Sequence, residues 1–371
     1  MKKIFTVLTS IALTFALSFS AAFANDDALM KSQNYLKTIT LDSPDAVIAY
    51  EATGMEADYK ADALLNNFKE TDYVTASYGD LAKSIIAISL LGENPKDFNN
   101  TNLVEILENR VQEDGTLTND VNGGCGATIW TLMALETVNS PKVKAVADKL
   151  STMAMDNGAY WYEYQGPNAD LDTTGWAMEA LSVAGRSIYK AAISKAYTFV
   201  QSKLNSTYGY YDNWGGNADT QSCVLEGLSV AGYTLDTNAY NYLLSYQNED
   251  GTFNALNYST GQLEPNAYAS VEGARALGVI NNGSFVLKAR QDYTKTTTPV
   301  VTEPETPTKP STPTTPGTTT PAVKPETTTT EPKKETVKVV NTGDNTNVMA
   351  YVVAAIAAVG VIVLVIKSKK K

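Results

Sequence analysis

The chain has 371 residues, of which 43% are hydrophobic, carries a formal net charge of −11 and contains no histidine. Its length suits one large domain plus appendages, and acidity without a basic cluster outside the termini argues against a nucleic-acid partner. The missing imidazole removes Ser-His-Asp triads and the usual zinc ligand, so neither a metal nor a cofactor is expected.

At the start, Lys2 and Lys3 precede an apolar run that ends in Ala22-Phe23-Ala24. This pattern reads as a secretory signal peptide over residues 1–24, cleaved near Ala24.

From residue 25 to about 291 one pattern recurs. Glu179-Ala-Leu-Ser-Val-Ala-Gly185 returns as Glu226-Gly-Leu-Ser-Val-Ala-Gly232, an offset of 47 residues. Val271-Glu-Gly-Ala-Arg-Ala-Leu-Gly278 follows 46 residues after that, which sets Glu179, Glu226 and Glu272 level with one another. Ala127–Leu135, Ser84–Gly92 and Ala46–Gly54 supply earlier copies and bring the number to six. A fixed period of this length marks stacked units that bury their apolar faces only against neighbours.

Between these Ala-rich segments lies a second set with ordinary amphipathic spacing, predicted as helices over 102–111, 141–155, 187–204 and 237–246. Each ends in a turn in which Gly115, Gly158, Gly209 or Gly251 is expected at positive φ. An apolar or aromatic residue just beyond, such as Tyr160, Tyr211 or Phe253, is expected to pin the turn to the next unit.

A helix, a Q-x-x-D-G-x-aromatic turn and a second, Ala-rich helix resemble the repeat of prenyltransferases, squalene oxidase-type proteins and terpene cyclases. The resemblance implies an all-α fold, an α/α toroid of about six helical hairpins in which an inner ring of parallel helices lies inside an outer one. Cys125 and Cys223 then fall on the third and fifth inner helices, too far apart in order to be neighbours.

Residues 292–338 are nearly all Thr, Pro, Val, Glu and Lys, a composition that cannot bury a core and reads as an extended stalk. Residues 348–366 form an apolar run followed by Lys367-Ser-Lys-Lys-Lys371. At 1.5 Å per residue that run reaches roughly 28 Å, enough for a transmembrane helix with its lysines on the cytoplasmic side. Together, residues 339–371 resemble a sortase sorting signal of Gram-positive bacteria, with processing expected at Thr342-Gly343, although Val339-Val340 stands where the family has Leu-Pro. The expected location is the outer face of the cell membrane or wall.

Several groups could carry chemistry. Asp170-Leu-Asp-Thr-Thr174 resembles the D-x-D-D-T motif of class II terpene cyclases, which would make Asp172 a general acid and Asp170 its companion. Asp and Thr are equally ordinary helix caps. Gly123-Gly-Cys-Gly-Ala-Thr128 resembles the thioester site of complement-type domains, but Thr128 stands where the acylating glutamine is required, so no thioester can form. Glu179, Glu226 and Glu272 share one helical face with Trp176 and Cys223, and with Asp219 they could gather at one mouth of a ring. Arg186 and Arg275 are the alternative, as partners that neutralise them. Trp161, Tyr164 and Trp214 lie in loops beside Asn, Asp and Gln, the pairing of aromatic face and polar anchor that ligand sites use.

The expectation is a surface-displayed domain that binds a glycan or a small amphipathic molecule through an acidic, aromatic-lined mouth. Two alternatives stand beside it: an enzyme of cyclase-like or carbohydrate-active type, and a scaffold or adhesin that engages a host or cell-surface protein.

Overall fold

The computed structural model describes residues 26–57, 62–120, 123–162, 166–211, 217–257 and 259–297. The chain divides at Thr302/Glu303, and every described residue belongs to the first unit. The signal segment, the stalk beyond 297, Thr342-Gly343 and the apolar run 348–366 lie outside the described residues, as do Tyr164 and Trp214. No helix among the described residues is long and apolar enough to cross a membrane.

The described residues are all-α apart from one hairpin. The helices are α1 (Asp26–Leu36), α2 (Pro44–Ala52), α3 (Asp62–Glu70), α4 (Tyr78–Leu90), α5 (Leu103–Asn109), α6 (Gly126–Thr137) and α7 (Val143–Met153), followed by α8 (Leu171–Gly185), α9 (Lys190–Ser202), α10 (Ala218–Val230) and α11 (Thr237–Leu244). Then come strands β1 (Phe253–Asn257) and β2 (Gln262–Asn266), α12 (Ala267–Asn282) and α13 (Phe285–Thr297). The even-numbered helices through α12 are the Ala-rich ones, and almost every residue of α6, α8 and α10 is buried. They form the core because small side chains let them approach closely. A Cβ on Gly175 would stand 2.3 Å from the Cys223 carbonyl oxygen, and one on Gly227 2.2 Å from that of Gly175.

Neighbours follow chain order. Among the core helices α2 packs on α4, α4 on α6, α6 on α8, α8 on α10, α10 on α12, and α12 returns to α2. The flanking helices are amphipathic and bury one stripe each, as with Val146, Ala147 and Leu150 of α7.

The turns after the flanking helices carry the repeat's second joint. Gly115, Gly158 and Gly251 have φ of 82°, 88° and 86° as expected from sequence, and a Cβ on them would meet carbonyl oxygens of Ala145, Lys195 and Lys31 at 2.1, 2.4 and 2.1 Å. The last contact ties the turn after α11 to α1, where Gln247 Nε2 also donates to the Ala28 carbonyl at 2.9 Å. In the turn after α9 the expectation is off by one residue: Tyr208, not Gly209, takes the left-handed φ of 67°. Its amide closes the turn onto Asn205 as that of Gly158 does onto Met155. The buried aromatic is accordingly Tyr210, while Tyr211 is exposed.

Two further corrections concern ends. Beyond the Gly251 turn, buried Phe253 also opens a strand that no sequence pattern announced, pairing as the hairpin Phe253↔Asn266 to Asn257↔Gln262. The expected stalk boundary at 291 falls inside α13, which reaches Thr297 because Tyr293 is buried and Thr296 donates to the Gly92 carbonyl at 3.0 Å.

Candidate functional site

The caps of the core helices set the register of everything inside. Ser43, Ser77, Asp170, Asn217 and Asn266 are the N-caps, each accepting from the amide three residues on. Asp170 is therefore structural, accepting from the Thr173 amide at 2.7 Å and its hydroxyl at 2.5 Å. Asp172 and Asp219 are not caps. They stand two residues past one, as do Asp45 on α2 and Tyr268 on α12. Negative charge in a first helical turn is favoured by the N-terminal dipole, so these acids cost the fold little there.

A second fixed point checks the register. The turn amides of Tyr160, Tyr210 and Phe253 donate to the side chains of Thr174, Gln221 and Ser270, at 2.9, 3.0 and 2.8 Å. These acceptors stand four residues past Asp170, Asn217 and Asn266. The spacing from α10 to α12 is thus 49 residues, not 46. Glu272 is level with Cys223, and the position level with Glu226 is Arg275, as contacts spanning 49 residues confirm. A slip of one helical turn keeps the same face inward, which is why the apolar pattern did not reveal it.

Three levels result. The first holds Asp45, Asp172, Asp219 and Tyr268. Tyr268 is 53% exposed, yet its hydroxyl pKa is raised, first by the charge of Glu272 and then by burial.

One turn further in stand Lys83, Trp130, Trp176, Cys223 and Glu272. Lys83 Nζ pairs with Asp45 at 2.8 Å and sits 4.6 Å from the Trp130 ring centre. Trp130 and Trp176 are 5.7 Å apart at 59°. The Cys223 thiol donates to Glu272 Oε2 at 3.6 Å, and burial, then Glu272 and Asp172, push its pKa well up. Cys223 and Cys125 are both buried and form no disulfide with one another.

The third level is Glu179, Glu226 and Arg275, all fully buried. Arg275 Nε donates to both oxygens of Glu226 at 3.0 and 3.1 Å, and its terminal nitrogens donate to Glu272 at 2.9 and 2.5 Å. Burial works against charge on Arg275, but Glu226 and Glu272 hold its pKa well above the usual value. Glu179 lacks a cation of its own. Burial and then the charge of Glu226 push its pKa well up, and Ser284 Oγ donates to its Oε1 at 3.0 Å. Arg186, the other expected partner, donates instead to the Val230 carbonyl.

The N-terminus of α13 forms the floor. Phe285 stacks on Trp130 at 6.4 Å and 28°, and its ring lies 5.9 Å from the Arg275 guanidinium carbon. Further along, Lys288 pairs with Glu51 at 2.6 Å and Arg290 with Glu136, fastening α13 to α2 and α6.

Of the residues expected from sequence to bind a ligand, Asp172, Asp219, Trp176 and Glu272 lie at the first two levels, while Glu179 and Glu226 form the layer beneath. Trp161 is only partly buried, packs against the core, and its carbonyl accepts from the Cys125 amide at 2.9 Å, at the head of α6. Lys83, Trp130 and Tyr268 were not anticipated as parts of the site, whereas Arg275 is the neutralising partner that the sequence offered. The 46-residue offset from Trp176 back to Trp130 was the available signal.

Asp219 is the most perturbed exposed-side acid. Burial first, and then the charge of Glu272, outweigh Arg275 and push its pKa up to about 7. Its Oδ1 is buried without a hydrogen-bond partner, and so is the Trp176 indole Nε1. A buried donor and acceptor left open cost on the order of 1–3 kcal/mol each unless something outside the chain satisfies them.

No protein-family model matches the chain, and no curated protein matches it. Among solved structures, a crystal structure of a protein from Actinoplanes is similar over 70% of this chain and 99% of that one, at 12% identity and a TM-score of 0.49.

Proposed function

We propose that the folded unit is an α/α toroid displayed at the cell surface, and that it binds a small hydroxylated or amphipathic ligand at the N-terminal mouth of its core helices. The neighbour order of those helices, returning from α12 to α2, supports the toroid. The sequence of the two termini supports export and anchoring. One observation carries the binding reading: the Trp176 N–H and Asp219 Oδ1, on adjacent core helices, have no hydrogen-bond partner among the described residues. A ligand hydroxyl accepts from the first and donates to the second, while the Trp130 and Trp176 faces give it stacking area.

The floor favours binding over cyclisation. Ser284 and Phe285 occupy the level of Glu179 and Arg275, so the mouth extends only about one to two helical turns, or roughly 5–10 Å. That depth suits a sugar ring or a head group rather than a long hydrocarbon. An enzymatic reading draws on one observation, the Asp219 pKa near 7, which suits a general acid at neutral pH. In that reading Asp219, rather than Asp172, donates the proton.

The test is a glycan array and a small-molecule thermal-shift screen on the soluble unit, with Trp176→Ala and Asp219→Asn as controls. Hits that both variants lose support the mouth. Hits that neither variant weakens place binding elsewhere and overturn it. Surface display is tested by protease shaving of intact cells, which should release the folded unit.

A further inference from the structure

Among the described residues, the ion pairs at the mouth leave Asp219 without a cation of its own. Within the first three turns of the core helices, the acids Asp45, Asp219, Glu226 and Glu272 stand with the cations Lys83 and Arg275. Both are committed. Lys83 serves Asp45, and Arg275 is divided between Glu226 and Glu272. Asp219 keeps a buried oxygen that nothing among the described residues donates to.

Beside this acid lie aromatic faces. Trp130 already hosts an ammonium group, since Lys83 Nζ lies 4.6 Å from its ring centre, so the aromatic wall accepts a cation in this geometry. Trp176 packs against Trp130, which in turn meets Phe285, so both indoles lie among the core helices rather than on their outer face. Trp176 is 9% exposed, and its N–H has no acceptor. An acidic cluster alone would be a solvated rim. An aromatic wall with an open, buried donor next to an open carboxylate oxygen is a site with chemical preferences.

Resting on the binding reading above, we infer that the mouth selects ligands that carry an organic ammonium group on a hydroxylated ring, as an aminated saccharide does. The ammonium group lies between Asp219, Asp172 and the indole faces. A ring hydroxyl or ring oxygen accepts from Trp176 Nε1. The pairing is charge-assisted on one side and neutral on the other, so both halves of the ligand contribute.

Matched probes test this by titration calorimetry: a glucosamine tetramer, the same tetramer fully N-acetylated, and choline. The expected result is that the glucosamine tetramer binds at least about tenfold tighter than its acetylated twin, with choline bound weakly. Asp219→Asn should cost the two ammonium probes about three- to thirtyfold, the range of a partly desolvated cation contact. Trp176→Phe keeps an aromatic face but removes the N–H and one ring, so it should weaken the glucosamine tetramer about two- to tenfold and choline by less. Asp219→Asn is near-isosteric, and circular dichroism checks the fold of both variants. Equal binding of the two tetramers overturns the ammonium preference while leaving the mouth reading intact. Choline bound as tightly as the glucosamine tetramer assigns the site to a cation without a ring, which also overturns the proposal, as does no binding by any probe. In that last case neutral hits on the array, lost in Trp176→Ala, would still sustain the mouth.

Discussion

The α2–α4–α6 half and the α8–α10–α12 half of the core are built from the same repeat yet are kept folded differently. Six and nine residues past the cap, α2 and α4 present Ala49 and Ala52, Lys83 and Ile86. The same positions on α8, α10 and α12 hold Trp176 and Glu179, Cys223 and Glu226, Glu272 and Arg275. At these positions the first half carries one cation, Lys83, among small and apolar residues, and α13 packs onto α2, α4 and α6 through buried Phe285, Val286, Ala289 and Tyr293 and through the Lys288–Glu51 and Arg290–Glu136 pairs. The second half keeps its charges among its own helices, with Arg275 shared by Glu226 and Glu272 and with Ser284 donating to Glu179. A common scaffold thus carries a cation shared inside the core on one side and core carboxylates paired outward to α13 on the other.

Removing the shared cation should break this contrast most severely. Arg275→Met leaves Glu226 and Glu272 buried without their counter-charge and should cost about 3–5 kcal/mol in chemical denaturation. On the apolar side, Phe285→Ala deletes the ring between Trp130 and Arg275 and should cost about 3 kcal/mol or slightly more. The two losses should differ in character, because only the arginine variant should recover stability when the pH is lowered and its glutamates take up protons.

Asp219 sharpens the comparison through pH. Its folded-state pKa lies above its unfolded value of 3.8, at about 7, so the folded state holds the proton more tightly. Its contribution is therefore full below pH 3.8 and is lost as pH rises through about 7. The groups that set this are burial, Glu272 and Arg275, with Asp172 close by on α8. Asp219→Asn should match the parent at pH 4 and exceed it at pH 8 by on the order of 1 kcal/mol, after allowance for partial solvent screening. Thermal melts at the two pH values measure this, and an equal shift at both would contradict it. The smallest effect should come from Glu179→Gln. An amide matches the carboxyl in size and keeps the acceptor for Ser284, so less than about 1 kcal/mol should be lost.

Much of the scaffold was legible because repetition is read from identity rather than from propensity. The repeated Ser-Val-Ala-Gly endings and the Asp-Gly turns located the helices to within a few residues. What failed was register. Helices related by a three-residue slip present the same apolar face, so nothing in the pattern of Ala and Leu separated Glu272 from Arg275 as the mate of Glu226. The caps could have done so, since Asp170, Asn217 and Asn266 are 47 and 49 residues apart, and counting from them gives the structural register. The hairpin β1–β2 accounts for the stretched spacing. Its strands are short and polar, with Pro265 in β2, so no alternating pattern announced it. The site was half visible: the acids and Arg275 were found, but Trp130 inside the aligned copy Ala127–Leu135 and Lys83 just before Ser84–Gly92 were not singled out, because the apolar pattern marks the helix and not which polar or aromatic residue faces inward.

The chain's four tryptophans allow the most direct test of the mouth. In an ¹⁵N-labelled sample each indole N–H gives its own resonance, and the glucosamine tetramer is titrated in. The account predicts that the Trp176 resonance shifts most, with Trp130 following and Trp161 unmoved. Saturating binding that shifts Trp161 or Trp214 and leaves Trp176 in place would contradict it.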